Sequence, residues 1–150
     1  MLRIRLTPAP EQGRALTEKG RQFTDAFNLV CARGWQAGEK NGVTLHHATY
    51  RDSKSIAPAL VSDLHVQARV QAIKSALTRQ RHGRRTSCPR SRACPPRYNL
   101  HTYRVDWAAR VVNLSTVAGR QRIPFRVPAY ATRHVGCPTA TADLVSKRGH

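Results

Sequence analysis

The sequence predicts an α+β fold, and three observations carry that prediction. Residues 2–6 alternate apolar and basic side chains, residues 11–36 and 59–81 repeat apolar positions every three or four residues, and the last third is rich in β-branched residues. A period of two marks a half-buried strand and a period near 3.6 an amphipathic helix.

In the opening segment Leu2, Ile4 and Leu6 share one side and Arg3 and Arg5 the other, so the chain begins with a strand. Thr7-Pro-Ala-Pro-Glu-Gln12 then turns into a helix, with Pro10 at a permitted first-turn position and Glu11 favoured by the helix dipole. Ala9 offers no capping oxygen. Leu16, Gly20, Phe23, Phe27, Val30, Cys31 and Trp35 form the stripe of this first helix, and Gly34 and Gly38 supply its stops. Residues 39–45, with Asn41-Gly42, read as a polar connection, and residues 48–56 as a short helix ended by Pro58.

The second strong helix is expected over residues 59–81, where Leu60, Leu64, Val66, Ala68, Val70, Ile73 and Leu77 line adjoining stripes. Residues 82–97 contain five Arg, three Pro, two Cys and no acid, a composition expected to be an extended linker that seeks phosphate and orders on its ligand. Strands follow over 100–105, 111–117 and 120–127, with a hairpin turn at Ala118-Gly119. In the last strand Ile123, Phe125 and Val127 share one face and Arg120, Arg122 and Arg126 the other. Pro124 and Pro128 place this strand at a sheet edge, because proline cannot donate to a ladder.

At 150 residues the chain is sized for one domain or two small lobes, which excludes a large multidomain enzyme. Leu, Ile, Val and Phe make up one residue in five, at the border below which highly charged chains lose order, so the core is expected to be small. The dominant signal is charge: 26 Lys and Arg against 8 Asp and Glu leave +18. A polyanion relieves that self-repulsion, and RNA or DNA is the natural one. Only five of the basic residues are Lys, and Arg is the side chain that forks onto phosphate and stacks on bases.

No apolar run approaches the roughly 18 residues of a membrane span, and the first ten residues show neither an apolar signal core nor a cleavage site. Cys31, Cys88, Cys94 and Cys137 are widely and unevenly spaced, as expected of free thiols in a reducing cytoplasm. Cys88 and Cys94 are separated by five residues, which misses the usual spacing of a zinc knuckle, and neither His134 and Cys137 nor His46-His47 completes a ligand set. No metal and no cofactor is expected. Glu11, Glu18 and Asp25 recur at seven-residue intervals along one helix, about 10 Å apart at 1.5 Å per residue, too far to share a two-metal centre. Chemistry is not expected.

The candidate binding residues follow from charge and aromatic spacing. Between Leu64 and Val105 there is no acid, and ten Lys or Arg are interleaved with Tyr98, His101 and Tyr103. Arg79, Arg81, Arg84, Arg85, Arg90 and Arg92 are expected to contact the phosphate backbone, Tyr98 and Tyr103 to stack on bases, and Arg120, Arg122 and Arg126 to form a second patch.

Arg5-Leu6-Thr7-Pro8 followed by Pro10-Glu11-Gln12, then Phe27-Asn28 with Trp35 later in the same helix, then Gly119-Arg120-Gln121-Arg122-Ile123-Pro124, occur in an order that resembles the N-terminal part of TnpB (OrfB)-type proteins. These are transposase-associated RNA-guided nucleases encoded by insertion sequences and related to the smallest type V CRISPR effectors. The resemblance implies a small wedge-like β-barrel, with its first strand in residues 1–8 and its remainder in 98–150. A helical recognition lobe over 9–82 is inserted between them, and 83–97 is the basic linker. It further implies binding of guide RNA or of an RNA–DNA duplex through backbone and shape, with sequence read by base pairing. Family members continue into a RuvC-like nuclease with a zinc ribbon, and neither follows Asp143 here, so the chain is expected to be a truncated, non-catalytic fragment. A separately encoded nuclease portion is then a candidate partner. The competing expectations are a phosphodiesterase whose acids assemble only in the fold, a general architectural RNA- or DNA-binding protein and a non-functional pseudogene product.

Overall fold

The computed structural model describes residues 2–58 and 75–146, and in them the chain is α+β. The elements run β1 (Arg5–Leu6), α1 (Pro10–Ala37), α2 (Gly42–Ile56), β2 (Arg97–Asn99), β3 (Tyr103–Asp106), β4 (Val111–Thr116), β5 (Gly119–Arg126), a 3-10 turn (Ala129–His134) and β6 (Thr141–Asp143). Residues 75–81 are also helical; the rest of the helix expected over 59–81 lies outside the described residues. The chain divides into two compact units, one of residues 1–19 with 97–144 and one of 20–96 with 145–150.

In the first unit the four strands β1, β5, β4 and β3 pair in that order, all antiparallel, and β2 pairs with β6 in a separate ribbon. The described strands form no closed barrel. Val112, Leu114, Ile123 and Phe125 point to one face, where Leu16 of α1, Tyr98 and Tyr103 complete a buried cluster. The β4–β5 turn lies at Val117-Ala118, between the paired Thr116 and Gly119, and Gly119 supplies the positive φ of 86° there.

Strand β5 is central, which corrects the edge position that Pro124 and Pro128 suggest. The reason lies in the length of its neighbour. The Pro124 carbonyl accepts from Thr7 N (2.8 Å) and Thr7 Oγ1 (3.1 Å), on the β1 side. In an antiparallel ladder the nitrogen of a residue faces the same side as its carbonyl. The missing N–H of Pro124 therefore faces Thr7, just past the two-residue β1, where the chain is exposed to solvent. Pro128 lies beyond the strand and leads into the 3-10 turn.

Helix α1 starts at Pro10 in spite of Ala9, because Gln12 at the third helical position accepts the Ala9 N–H through Oε1 (3.0 Å), one half of a capping box. It ends at Gly38, whose φ of 62° permits paired bonds from Gly38 N to Trp35 O and from Glu39 N to Gly34 O. These form a Schellman stop. Gly34 therefore lies inside the helix and is not a stop.

In the second unit Phe23 and Ala26 pack with Ala57, and Val30 and Cys31 with Leu45. Asn41-Gly42 opens a helix and is not part of the polar connection expected over 39–45. Asn41 caps α2, its side chain accepting from Val43 N (2.9 Å) and Thr44 N, so the helix begins six residues earlier than the sequence suggests. Gly83 ends the helical stretch 75–81 in the same way as Gly38 ends α1, with Gly83 N bonded to Gln80 O and Arg84 N to Arg79 O.

Candidate nucleic-acid interface

Strand β5 sorts its side chains as the alternation demands. Ile123 and Phe125 are buried, while Arg120, Arg122 and Arg126 are exposed on the opposite face. The register adds two further arginines. Arg104 of β3 lies in one row with Asn113 of β4 and Arg122 of β5, and Arg5 of β1 lies directly opposite Arg126. Directly paired residues share a face. Adjacent strands are about 4.8 Å apart and alternate residues about 7 Å along a strand, so Arg104 and Arg122 stand roughly 10 Å apart across the sheet and Arg120 and Arg122 roughly 7 Å apart along it.

The face is supported from below and from its ends. The Trp107 ring meets Phe125 edge-to-face at 5.6 Å on the buried side. The Arg120 guanidinium donates to the His101 carbonyl, which aims that side chain across the sheet. Asp106 brings an acid to the same face, and its Oδ1 accepts from Ala109 N (2.9 Å) in the β3–β4 turn.

The second group of arginines belongs to the other unit. Arg79 and Arg81 lie on the last turn of helix 75–81, and Arg84, Arg85, Arg90 and Arg92 follow in a stretch without regular secondary structure; all six are exposed. This stretch makes side-chain hydrogen bonds to α1 and to the helical stretch 75–81. Asn28 of α1 donates through Nδ2 to Ser91 O (3.0 Å) and accepts from Ser91 N (2.9 Å). Thr24 Oγ1 accepts from Cys94 N (2.9 Å), and Thr86 Oγ1 donates to Ala76 O (3.2 Å).

Its small apolar residues turn inward between the arginines. Cys88 packs on the Val30–Cys31–Leu45 cluster and Cys94 on Phe23, Ala26 and Ala57. Burial pushes the Cys88 thiol up, against the opposing pull of the Arg90 charge. All four cysteines are free thiols, and among the described residues no cluster of three or more His, Cys, Asp or Glu could hold a metal ion.

Tyr98 and Tyr103 do not lie on either basic surface. They are 1% and 4% exposed, within the core of the first unit, with ring centroids 6.5 Å apart and edge-to-face. Tyr98 donates its hydroxyl to Ser115 O (3.1 Å), and burial pushes its pKa up to about 12. Lys19 lies over the Tyr98 ring, 5.4 Å from its centroid, and donates to Ser115 Oγ (3.1 Å); burial lowers its pKa to about 8. The rings expected to stack on bases are therefore covered. They interleave with arginines in sequence because alternate residues of a strand face opposite ways.

Several of the described acids are engaged in structural contacts. Asp25 pairs with Arg21 (2.7 Å), Asp52 with Arg33 (3.2 Å) and Asp143 with Arg97 (2.9 Å). The Glu39 carboxylate accepts from Lys40 N and Asn41 N in the α1–α2 connection. Among the described residues no helix is long and apolar enough to cross a membrane. No protein-family model matches the chain, and no curated protein and no solved structure matches it.

Proposed function

We propose that the chain is a non-catalytic nucleic-acid-binding module that holds the backbone of RNA, or of an RNA–DNA duplex, in the way its resemblance to the N-terminal part of TnpB-type proteins implies. The observation that carries this reading is the row pattern of the sheet: Arg5, Arg104, Arg120, Arg122 and Arg126 share one exposed face backed by an apolar underside. Arginine forks at fixed spacings on a rigid platform neutralise successive phosphates without reading bases.

Net charge gives the same sign, +18 over the chain. The reading includes a wedge-like barrel, in which the β2–β6 ribbon would extend the four-stranded sheet towards closure. Pairing of β1 with β5, more than a hundred residues later, supports it. It also places the protein in the cytoplasm, with a separately encoded nuclease portion as partner.

The test is a salt titration of binding to RNA from the gene's own locus, to generic structured RNA and to duplex DNA. For the native chain, selective binding to the locus RNA that persists at physiological salt is expected. In the R120Q/R122Q/R126Q variant the slope of log K against log salt on duplex DNA falls by about 2.7, at about 0.9 per lost phosphate contact. An unchanged slope removes the sheet face from the interface. Equal, salt-labile binding to all three ligands reduces the protein to a general polyanion binder.

A further inference from the structure

Outside both arginine groups, α2 carries an aromatic cluster that the core does not use. His46, His47, Tyr50 and Arg51 stand at positions i, i+1, i+4 and i+5, one face of the helix. The His46 ring meets His47 at 5.7 Å and Tyr50 at 5.5 Å, both edge-to-face, and Tyr50 is 50% exposed. The opposite side of the same helix is anchored, with Leu45, Thr49 and Ser53 buried, so the exposed rings sit on a fixed support. Beside them lies a recess of about 440 Å³ lined by His46, His47, Ala48, Tyr50, Arg51 and Asp52.

We propose that this cluster is a stacking site for an unpaired base of single-stranded nucleic acid, with Tyr50 as the platform, His46 and His47 as its flanking rings and Arg51 on the adjoining phosphate. Edge-to-face contacts occupy at most one face of each ring, which leaves the half-exposed Tyr50 with a free surface for a base. The acid at the rim, Asp52, is paired with Arg33 at 3.2 Å, so it opposes an incoming phosphate less than a bare carboxylate would. A paired base has no free face, whereas one in a single strand does, so the site distinguishes single strands from duplexes. The inference rests on the nucleic-acid reading and adds a second mode of contact, stacking, to backbone neutralisation.

The experiment measures affinities of the full chain for a single-stranded RNA, the single-stranded DNA of the same sequence and the matching duplex. Tyr50→Leu weakens binding of both single strands by roughly tenfold and leaves the duplex affinity and the salt slope unchanged, the size expected for one base–aromatic stack. Tyr50→Phe, which keeps the ring, binds as the native chain does. The double variant H46L/H47L loses single-strand affinity in the same direction while leaving Tyr50 in place. A loss confined to RNA assigns the site to RNA. Equal losses on single strands and duplex, or no loss in Tyr50→Leu, overturn the stacking site and leave the arginine interface standing. If the native chain binds neither single strands nor duplex, the nucleic-acid reading fails with it.

Discussion

The two units carry their arginines on different kinds of support. In the sheet unit Arg120, Arg122 and Arg126 are placed by a strand whose alternate residues are buried, so Arg122 is fixed by Ile123 beneath it and by Asn113 beside it. In the helical unit Arg90 and Arg92 have no ladder, and they are placed by the docking of their small neighbours: Ser91 on Asn28, Cys94 on Thr24, Cys88 against the core. A sheet face is an arginine array with a rigid spacing, while a docked irregular segment is one whose geometry depends on a few side-chain hydrogen bonds. The first resists local opening by the free energy of a core, the second by roughly 1 kcal/mol per bond.

The largest effect that separates the two supports comes from the sheet's underside. Phe125→Ala removes a ring 3% exposed and packed on Trp107, and the expected destabilisation is about 3–5 kcal/mol. Denaturant unfolding followed by Trp107 fluorescence, with Trp35 replaced by Phe, reports it. A loss under 1 kcal/mol would mean that the platform does not depend on that core.

Next in size is a pH effect in the same unit. Lys19 has its pKa lowered to about 8 by burial, so between pH 8 and about 10.5 the unfolded chain holds a proton there that the folded chain has released, and stability rises with pH across that window. Tyr98, raised to about 12, acts in the opposite sense above pH 10, where the unfolded phenol ionises first and stability falls. The same fluorescence signal should therefore show a maximum near pH 10. The rise on its acid side, on the order of 2–3 kcal/mol as an upper bound, disappears in Lys19→Met. Parallel pH profiles for native and variant chains would contradict this account.

The docked segment is probed by Asn28→Ala, which leaves Ser91 without both of its partners and weakens local docking by about 1–2 kcal/mol. Trypsin cleavage after Arg90 and Arg92 should accelerate by about 5- to 30-fold, while the Trp107 signal stays unchanged. Unaltered cleavage would show that other contacts hold the segment. The smallest effect is that of Arg104→Gln, which leaves stability within about 0.5 kcal/mol and lowers the salt slope on duplex DNA by up to about 0.9. If the slope does not move, Arg104 shares the face but not the interface.

Much of the fold is legible from residue pattern. The alternation at residues 2–6, the stripe Leu16 to Trp35 and the Ile123/Phe125 against Arg120/Arg122/Arg126 split all correspond to elements of the structure. Asn41-Gly42 misleads because the dipeptide that makes a hairpin turn is also a good helix cap followed by a permissive first residue. Pro124 misleads because the rule that confines proline to edges concerns a missing donor, and that donor is not needed where the neighbouring strand is two residues long. In the stretch 82–97 composition hides the return of Cys88, Cys94 and Pro96 to the interior.

The candidate site divides in the same way. Charge, and the grouping of Arg120, Arg122 and Arg126, are properties of one strand and follow from a two-residue period. That Arg5 and Arg104 join them is a matter of register between segments up to 121 residues apart, and no local pattern encodes it. That Tyr98 and Tyr103 leave the surface while Tyr50 remains on it depends on which face of each element finds a partner to pack against. Local sequence determines period, caps and charge because these act within a few residues. Only the tertiary structure decides burial and register, because both are free energies of meeting between distant segments.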